Sequence, residues 1–342
     1  MAVDPVAARV TIGIDVGGTK VLGVVLDGTV LGGAEHRMAT PHAPDEVIDT
    51  IIDVVETLAA AAGDAHQIID GVGIGVPGLV DDAGSLRFAP NLAALEGYSV
   101  RNGLLARLAR SPLAAASPDG LALVVDNDAT CAIVGERAEG AAAHLDDVVM
   151  VTLGTGIGGG VITGGGVLRG AHRFGSEVGH MTVNPGGVPC KCGKRGCWER
   201  YASGWGLGRF GRQAVREGRA PHVADLAKGD VDAVRGEHVT AAAATGDAAA
   251  ALIVEEWASW LGIGLANLAG IFDPACFVIG GGLVAAGDVL LDPARAAFAA
   301  MLEGAESRPD VPIVAAGLGQ RSGAVGAAVL AREATRSGSS SR

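Results

Sequence analysis

The sequence predicts an α/β protein built from two related halves. Short apolar runs alternate with glycine turns and with longer amphipathic segments, the pattern of strands joined to helices. The opening theme of strand, glycine turn and strand returns in "DDVVMVTLGTGIGGGVITGGGVLRG", residues 146–170. Such a return after about one domain length indicates an internal duplication, and we expect a ligand-binding cleft between two lobes.

Composition limits the choice of partners and compartment. The 342 residues are 49% hydrophobic but only 4% aromatic, so small aliphatic side chains must fill the core. A net charge of −12 argues against nucleic acid and anionic membranes as partners. The start, "MAVDPVAARVTIGID", lacks the charged head and apolar run of a secretory signal, so we expect a cytoplasmic protein. The apolar segment 251–272 carries Glu255 and Glu256, which favours a buried core helix over a membrane span.

The elements follow in order along the chain. Three antiparallel strands are expected in the opening residues, from "RVTIGIDV", "VLGVVLDG" and "TVLGGAEHR". Asp45 can cap a helix through "VIDTIIDVVETLAAAAG", and buried strands follow in "GVGIGVPG" and "LALVVDNDA". We expect a small lobe of residues 1–126, completed by a C-terminal helix over 322–336. A large lobe of residues 127–321 would hold the cysteine motif, and residues 337–342 would form a disordered tail.

Two glycine-rich hairpins predict a phosphate clamp. The G-x-G-x-x-G spacings at 73–78 and 154–159 are not followed by helices, which excludes a dinucleotide-binding loop. In "DVGGTK", a carboxylate on the magnesium side, backbone amides, a hydroxyl and a cation lie together, from Asp15, Gly17, Gly18, Thr19 and Lys20. The alternative is an ordinary type I′ hairpin. The second hairpin, "LGTGIGGG", favours the clamp.

A carboxylate follows the buried strand that ends at "DNDA". A kinase that acts on a hydroxyl needs a base within hydrogen-bond reach, and Asp128 suits that role, with Asn127 able to hold a neighbouring hydroxyl. The alternative is that Asp128 is the N-cap of the helix that follows. The two roles are compatible.

One histidine and three cysteines predict a zinc site: His180, Cys190, Cys192 and Cys197. Three thiolates and an imidazole are a known closed tetrahedral set, and Gly193 and Gly196 permit the tight wrap of the loop. Redox chemistry would favour C-x-x-C spacing, which this cluster lacks. Because the loop has little core of its own, we expect the zinc to be structural.

Two glutamates bracket this cluster, Glu177 and Glu199. A histidine that binds zinc through one ring nitrogen keeps the other for a hydrogen bond. Two carboxylates and such an imidazole can bind adjacent hydroxyls of a sugar. The alternative for each glutamate is a solvated surface position.

These motifs resemble the ROK family of sugar kinases and repressors, and within it the bacterial ATP-dependent glucokinases. The matches are "DVGGTK" at 15–20, "GVPG" at 75–78, "NDA" at 127–129, "LGTGIGGG" at 153–160, "EVGH" at 177–180, "CKCGKRGCWE" at 190–199 and "VIGGGL" at 278–283. The resemblance implies an actin-like ATPase (ribonuclease H-like) fold, ATP with Mg²⁺, a sugar substrate, and a homodimer or homotetramer.

The resemblance also implies residue roles. Asp128 would be the general base for the 6-hydroxyl of glucose. The sugar would be held by Asn127, Glu177, His180 and Glu199, with the backbone near Gly78. The nucleotide would be held by the first hairpin together with Thr155, Gly156, Gly281 and Gly282.

Departures from the family pattern concern the choice of sugar. Thr130 stands where the family often has Asn, and Ser176 where it commonly has Gly. Phosphorylation of N-acetylmannosamine, fructose, mannose or allose therefore remains an alternative to glucose, as does polyphosphate in place of ATP. A sugar-sensing repressor is a further alternative, which the acidic charge disfavours.

Overall fold

The structure, a computed structural model, describes residues 8–27, 33–90, 92–113 and 120–339. The chain forms two compact units. Unit 1 contains residues 1–144, 167–175 and 321–342, and unit 2 contains residues 145–166 and 176–320. In this division residues 127–144 belong to unit 1, because their helix packs along the C-terminal helix. The sequence suggested that they belong to the other lobe.

Unit 1 is built on a five-stranded sheet in the order β3–β2–β1–β4–β7. Its strands and the small hairpin β5–β6 are β1 (Arg9–Val16), β2 (Lys20–Leu26), β3 (Glu35–Ala39), β4 (Ile68–Val76), β5 (Leu79–Val80), β6 (Leu86–Phe88) and β7 (Ala122–Asn127). The first three strands are antiparallel, as predicted, and β1, β4 and β7 are parallel. The helices are α1 (Pro44–Asp64), α2 (Val100–Leu108), α3 (Asp128–Glu139) and α10 (Ser322–Ser339).

Unit 2 repeats the same sheet in the order β10–β9–β8–β11–β12. Its strands are β8 (Val148–Leu153), β9 (Ile157–Thr163), β10 (Gly166–Val167), β11 (Cys276–Gly280) and β12 (Ile313–Ala315). The helices are α4 (Glu199–Ala202), α5 (Gly204–Arg216), α6 (Pro221–Leu226), α7 (Gly236–Ala244), α8 (Ala248–Phe272) and α9 (Asp288–Met301). An antiparallel hairpin followed by two parallel strands recurs in both units, so the predicted duplication is present.

The start of α1 differs from the sequence prediction. Ala43 is the N-cap and makes no side-chain capping bond, and Pro44 takes the first helical position, where its missing N–H costs nothing. Asp45 lies in the first turn instead, and its carboxylate accepts a hydrogen bond from Arg107 at 2.9 Å. Asp45 as the cap was therefore wrong. The predicted apolar stripe of this helix is buried.

The C-terminal helix α10 lies against backbone rather than side chains. A methyl group on Gly13 of β1 would overlap the Ala324 carbonyl, and one on Gly73 of β4 would overlap the Ala327 carbonyl. Only glycine permits so close a contact between a helix and a sheet. The helix runs to Ser339, three residues beyond its predicted end, and residues 340–342 of the predicted tail lie outside the described residues.

Helix α8 forms the core of unit 2. In the described part of the chain it is the one helix long and apolar enough to cross a membrane by length and composition, and half of its most apolar stretch is buried. Its buried face includes Trp257, Leu261 and Leu265 and packs against α9, α7 and α5. These contacts fit the core helix that we expected.

Trp198 connects the cysteine loop to this core helix. Its side chain is fully buried, and its indole N–H donates to the Trp260 carbonyl at 2.7 Å. The ring lies flat on Gly264, where a methyl group would overlap ring atoms. The contact fixes the chain directly after Cys197.

We predict that Gly264→Ala lowers the free energy of unfolding by about 1–3 kcal/mol, because the added methyl forces Trp198 out of its position. Denaturant unfolding measures the change. Gly270→Ala on the same helix is the matched control, since a methyl there meets open space. It should raise stability by about 0.5–1 kcal/mol. Equal effects of the two substitutions would refute the role given to the Trp198 contact.

Candidate active site

In unit 1, the predicted site residues gather at one edge of the sheet. Asp15 lies near the end of β1, Gly78 follows β4, and Asn127 ends β7. Because these three strands are parallel, their carboxyl ends meet at the same edge, where ligands of α/β proteins usually bind.

Asn127, and not Asp128, is the N-cap of α3. Asn127 keeps an extended backbone, and its Oδ1 accepts the Thr130 N–H at 2.9 Å. The suggestion that Asp128 caps this helix was wrong, because the helix begins at residue 128, one residue earlier than a cap at 128 requires. Asp128 is instead the first helical residue.

Hydrogen bonds from neighbouring residues reach one oxygen of the Asp128 carboxylate, Oδ1. Its Oδ1 accepts the Ala129 N–H at 2.8 Å and the Asn127 side-chain amide at 3.1 Å. The same Asn127 amide donates to the Gly78 carbonyl at 3.1 Å. The hydrogen bonds from these two neighbouring residues both end on Oδ1, which leaves Oδ2 of Asp128 for a substrate hydroxyl.

Burial raises the pKa of two carboxylates at this edge of the sheet, Asp128 and Asp15. It raises the pKa of Asp128, against the hydrogen bonds from Ala129 and Asn127, which favour the ionised form. It also raises the pKa of Asp15 to about 7, with a further contribution from the negative charge of Asp128 and an opposing one from Lys20. A carboxylate with a raised pKa is a better proton acceptor near neutral pH.

The first hairpin has an open tip. The Gly17 N–H donates to the Lys20 carbonyl at 2.8 Å, and the Thr40 hydroxyl donates to the Gly17 carbonyl at 2.7 Å. Gly18 and Thr19 are exposed between these bonds. The Lys20 side chain is half-buried, and its burial and the nearby Arg37 lower its pKa.

The second hairpin opens onto a cavity of about 550 Å³ in unit 2. The Gly154 N–H donates to the Gly156 carbonyl at 3.0 Å, which turns the chain, and Thr155 faces the cavity. Gly281 precedes the 3₁₀ turn Gly282–Ala286, whose first residue lines the opposite wall. Thr155 and Gly282 were therefore brought together as the sequence suggested.

Five larger side chains of this cavity were not predicted from the sequence: Trp205, Arg212, Arg235, Glu237 and Thr240. Trp205 and Arg212 lie seven residues apart on α5, which places them on one helix face, and this spacing was a usable signal. Arg200 stacks on the Trp205 ring at 3.4 Å from its centre. An aromatic ring, arginines and a carboxylate in one concave site suit a heterocyclic base with its ribose.

The four predicted metal ligands converge. The donor atoms of His180, Cys190, Cys192 and Cys197 all lie within 4.8 Å of one another. The Cys192 and Cys197 sulfurs are 3.6 Å apart, close to the roughly 3.8 Å edge of a tetrahedral zinc–thiolate site.

Nδ1 of His180 is the ring nitrogen that faces this group, 3.7 Å from the Cys190 sulfur, and Nε2 is left for a second bond. The loop closes through left-handed Gly193 and Gly196, with φ of +88° and +77°. The donor set and its geometry fit zinc.

Glu199 lies between the metal ligands and the second hairpin. Its Oε1 is 3.0 Å from the Cys190 sulfur, and a methyl group on Gly156 would stand 2.6 Å from its Oε2. Glu177 is exposed and directly precedes the 3₁₀ turn that carries His180, whose N–H donates to the Glu177 carbonyl at 3.1 Å. The side chains of His180 and Glu199 thus both lie near the Cys190 sulfur, and Glu177 is linked to His180 by a backbone hydrogen bond.

Ser176, which directly precedes Glu177, has a backbone conformation that favours glycine. Its φ is +66°, in the left-handed region that side chains disfavour. Its carbonyl accepts the Val178 N–H at 2.8 Å, which starts the turn toward His180. The left-handed backbone at Ser176 is therefore held at the cost of some strain.

Comparison with protein families decides the relationship. The ROK family model matches residues 11–334. The chain belongs to the ROK family. It is 40% identical over 328 residues to a glucokinase of Streptomyces coelicolor, covering 94% of this chain and 98% of that protein. It is 27% identical over 290 residues to the xylose repressor of Bacillus subtilis, covering 84% of this chain and 68% of the repressor.

Comparison with solved structures confirms the fold. A ROK family glucokinase from Streptomyces griseus, solved in complex with glucose and AMPPNP, matches with a TM-score of 0.82 and 39% identity. The match covers 95% of this chain and 99% of that one. The actin-like ATPase fold predicted for this ROK protein is confirmed.

We predict that Asp15→Asn raises the melting temperature at pH 8 and that its benefit shrinks at pH 5. The folded pKa of about 7 lies above the usual 3.8, so the native state binds a proton more tightly between about pH 4 and 7. The stabilising protonated form is therefore lost as pH rises through 7. Thermal unfolding at both pH values measures this. A constant difference between them would show that Asp15 is not buried in this way.

We predict that the purified protein carries a single zinc ion per chain, measured by plasma mass spectrometry. Cys192→Ser should lose most of it and lower the melting temperature, because the metal replaces a missing hydrophobic core in the loop. Cys276→Ala, which removes a buried thiol on β11 of the same unit, should retain the metal. Full zinc in Cys192→Ser would exclude the assigned site.

Proposed function

We propose that this protein is an ATP-dependent glucokinase that transfers the γ-phosphoryl group of ATP to the 6-hydroxyl of D-glucose, giving glucose 6-phosphate. The observation that carries the proposal is the Asp128 carboxylate at the ends of the parallel strands, whose Oδ1 accepts two hydrogen bonds and whose Oδ2 is left for a substrate. The glucokinase relatives, one of them solved with glucose and AMPPNP, support the substrates. The proposal includes a cytoplasmic protein that works as a homodimer or homotetramer.

Asp128 acts as the general base. Two donors hold its Oδ1, so the carboxylate plane is fixed and Oδ2 is left to accept the proton of the 6-hydroxyl. The raised pKa of Asp128 brings its basicity closer to neutral pH, where proton transfer from an alcohol is most efficient. Asn127 contributes mainly by orienting Asp128 and the Gly78 carbonyl, and its Oδ1 retains a lone pair for a sugar hydroxyl.

The sugar hydroxyls are bound by the residues around the metal cluster. Nδ1 of His180 faces the Cys190 sulfur, which leaves Nε2 for a sugar hydroxyl. The carboxylates of Glu177 and Glu199 would accept hydrogen bonds from vicinal hydroxyls. Zinc, held by His180 and the three cysteines, would fix the loop and the tautomer of the imidazole. The backbone near Gly78 completes the set of sugar contacts.

The nucleotide is bound by the two hairpins and the cavity. Gly17, Gly18, Thr19 and Lys20 would meet the phosphates, with Thr155 and Gly156 on the second hairpin and Gly281 and Gly282 at the turn. The cavity beside Trp205 would take the base. Mg²⁺ would neutralise charge on the triphosphate, with Asp15 as its carboxylate partner. A cation there favours the ionised form of Asp15 and so offsets the effect of burial.

The proposal is tested by ATP consumption across a panel of sugars: glucose, mannose, fructose, allose, N-acetylglucosamine and N-acetylmannosamine. We expect turnover with glucose far above that with the others. Highest turnover with another hexose would replace the substrate and keep the kinase assignment. No turnover in a folded, zinc-loaded protein would overturn the proposal.

We predict that Asp128→Asn lowers kcat by about 10²–10⁴-fold with little change in glucose affinity, because the amide keeps the shape but cannot take a proton. Steady-state kinetics and titration of glucose without ATP separate the two quantities. Asp53→Asn, on the exposed face of α1, serves as the matched control and should retain full activity. Turnover of Asp128→Asn near that of the wild type would remove Asp128 as the base.

A further inference from the structure

We propose that Asp126 is a positioning residue for the reaction. It links the arginine loop, residues 167–175, to the end of β7, where Asn127 and Asp128 lie. The inference rests on the proposed function and adds to it a residue group outside the predicted site. The group comprises Asp126, Arg169 and Arg173, and all three belong to unit 1.

Asp126 is a buried carboxylate, and both of its oxygens accept hydrogen bonds. Its side chain is 4% exposed. Its Oδ2 accepts from Arg169 Nε at 2.9 Å and lies 2.8 Å from Arg173 Nη2. Its Oδ1 accepts the backbone N–H of Asn127 at 2.9 Å. One carboxylate therefore holds both the loop and the backbone of the next residue.

The arginine loop, residues 167–175, carries both arginines and has a compact backbone. It closes on itself through the Gly175 N–H, which donates to the Arg169 carbonyl at 2.9 Å. Arg173 has a φ of +63°, a conformation that costs energy for a residue with a side chain. The ion pair with the buried carboxylate offsets this strain. In sequence the loop leads directly to Ser176 and Glu177.

The hydrogen bond to Asn127 has a mechanical consequence. Asn127 must keep an extended backbone to cap α3, and the capping bond in turn makes Asp128 the first helical residue. Fixing the Asn127 N–H therefore fixes the orientation of the Asp128 carboxylate. Misplacement of a catalytic group by about 1 Å can cost a factor of about 100 in rate.

Stability alone does not account for this arrangement. Replacing a buried ion pair by apolar side chains is often neutral or stabilising, so a buried carboxylate with two arginines is an inefficient way to stabilise a fold. It is an efficient way to fix the end of a strand, because charged hydrogen bonds are directional and strong.

Asp126→Asn is the test variant, since it keeps the shape and the acceptor for the Asn127 N–H but removes the charge between the arginines. We expect kcat for the best sugar to fall about tenfold to a hundredfold. Hydrogen exchange measured by mass spectrometry should become faster both in residues 127–131 and in residues 167–175. Arg169→Lys should lose less activity than Arg169→Met, because it keeps a cation. Asp70→Asn, which breaks the Arg9 ion pair on β4, is the control and should match the wild type.

The outcomes separate this proposal from the proposed function. Faster exchange in both segments together with lower kcat supports the positioning role. Wild-type kcat in Asp126→Asn, or a lower melting temperature with unchanged exchange and kcat, overturns it. If the wild-type protein phosphorylates no sugar, the proposed function fails, and the exchange data alone then decide whether Asp126 fixes the two segments. Should Asp126→Asn not fold, the Arg169 pair supplies the same readouts.

Discussion

Unit 1 depends on the contact between the backbone of α10 and the backbone of the sheet. Glycines at 13 and 73 leave no side chain between them, and Gly326 lies against the Cys131 carbonyl of α3. The buried Glu136 of α3 accepts the hydroxyl of Ser322, the first residue of α10, at 2.6 Å. This packing brings Gly323, at the start of α10, to Asp15, where a methyl group would stand 2.8 Å from the carboxyl carbon. The raised pKa of Asp15 follows from that burial.

In unit 2, the corresponding constraint is the cysteine loop. Its fixed points are the four converging donor atoms and Trp198, one residue after Cys197, packed on α8. From there the chain passes through Glu199 into α5, and the Gly204 N–H donates to the Gly154 carbonyl at 2.8 Å. The loop, Glu199 and the part of the cavity wall formed by Gly204 and Trp205 are consequently parts of one short segment. If Glu199 binds the sugar and the cavity binds the nucleotide, as proposed, loosening the loop should weaken the binding of both.

Much of this was accessible from the sequence, because it depends on local pattern. Strand runs, the duplicated hairpin and the cysteine spacing each correspond to a short stretch of chain, and the structure has them where they were expected. The cap of α3 was assigned one residue too late, because sequence alone did not separate Asn127 from Asp128. Asp126 and Arg169, 43 residues apart, could not be paired without the fold. Nor could Arg235, which precedes α7, be placed in the same cavity as Trp205 and Arg212 of α5.

The proposed reaction places phosphate on the 6-hydroxyl of glucose, whose proton Asp128 would accept during the transfer. The most direct measurement is the position of the phosphate in the product, read by ³¹P–¹H correlation NMR after incubation with ATP, Mg²⁺ and ¹³C-labelled glucose. We expect a single phosphomonoester coupled to the protons on carbon 6. A phosphate on any other carbon, or free phosphate without a sugar ester, would contradict the proposed reaction.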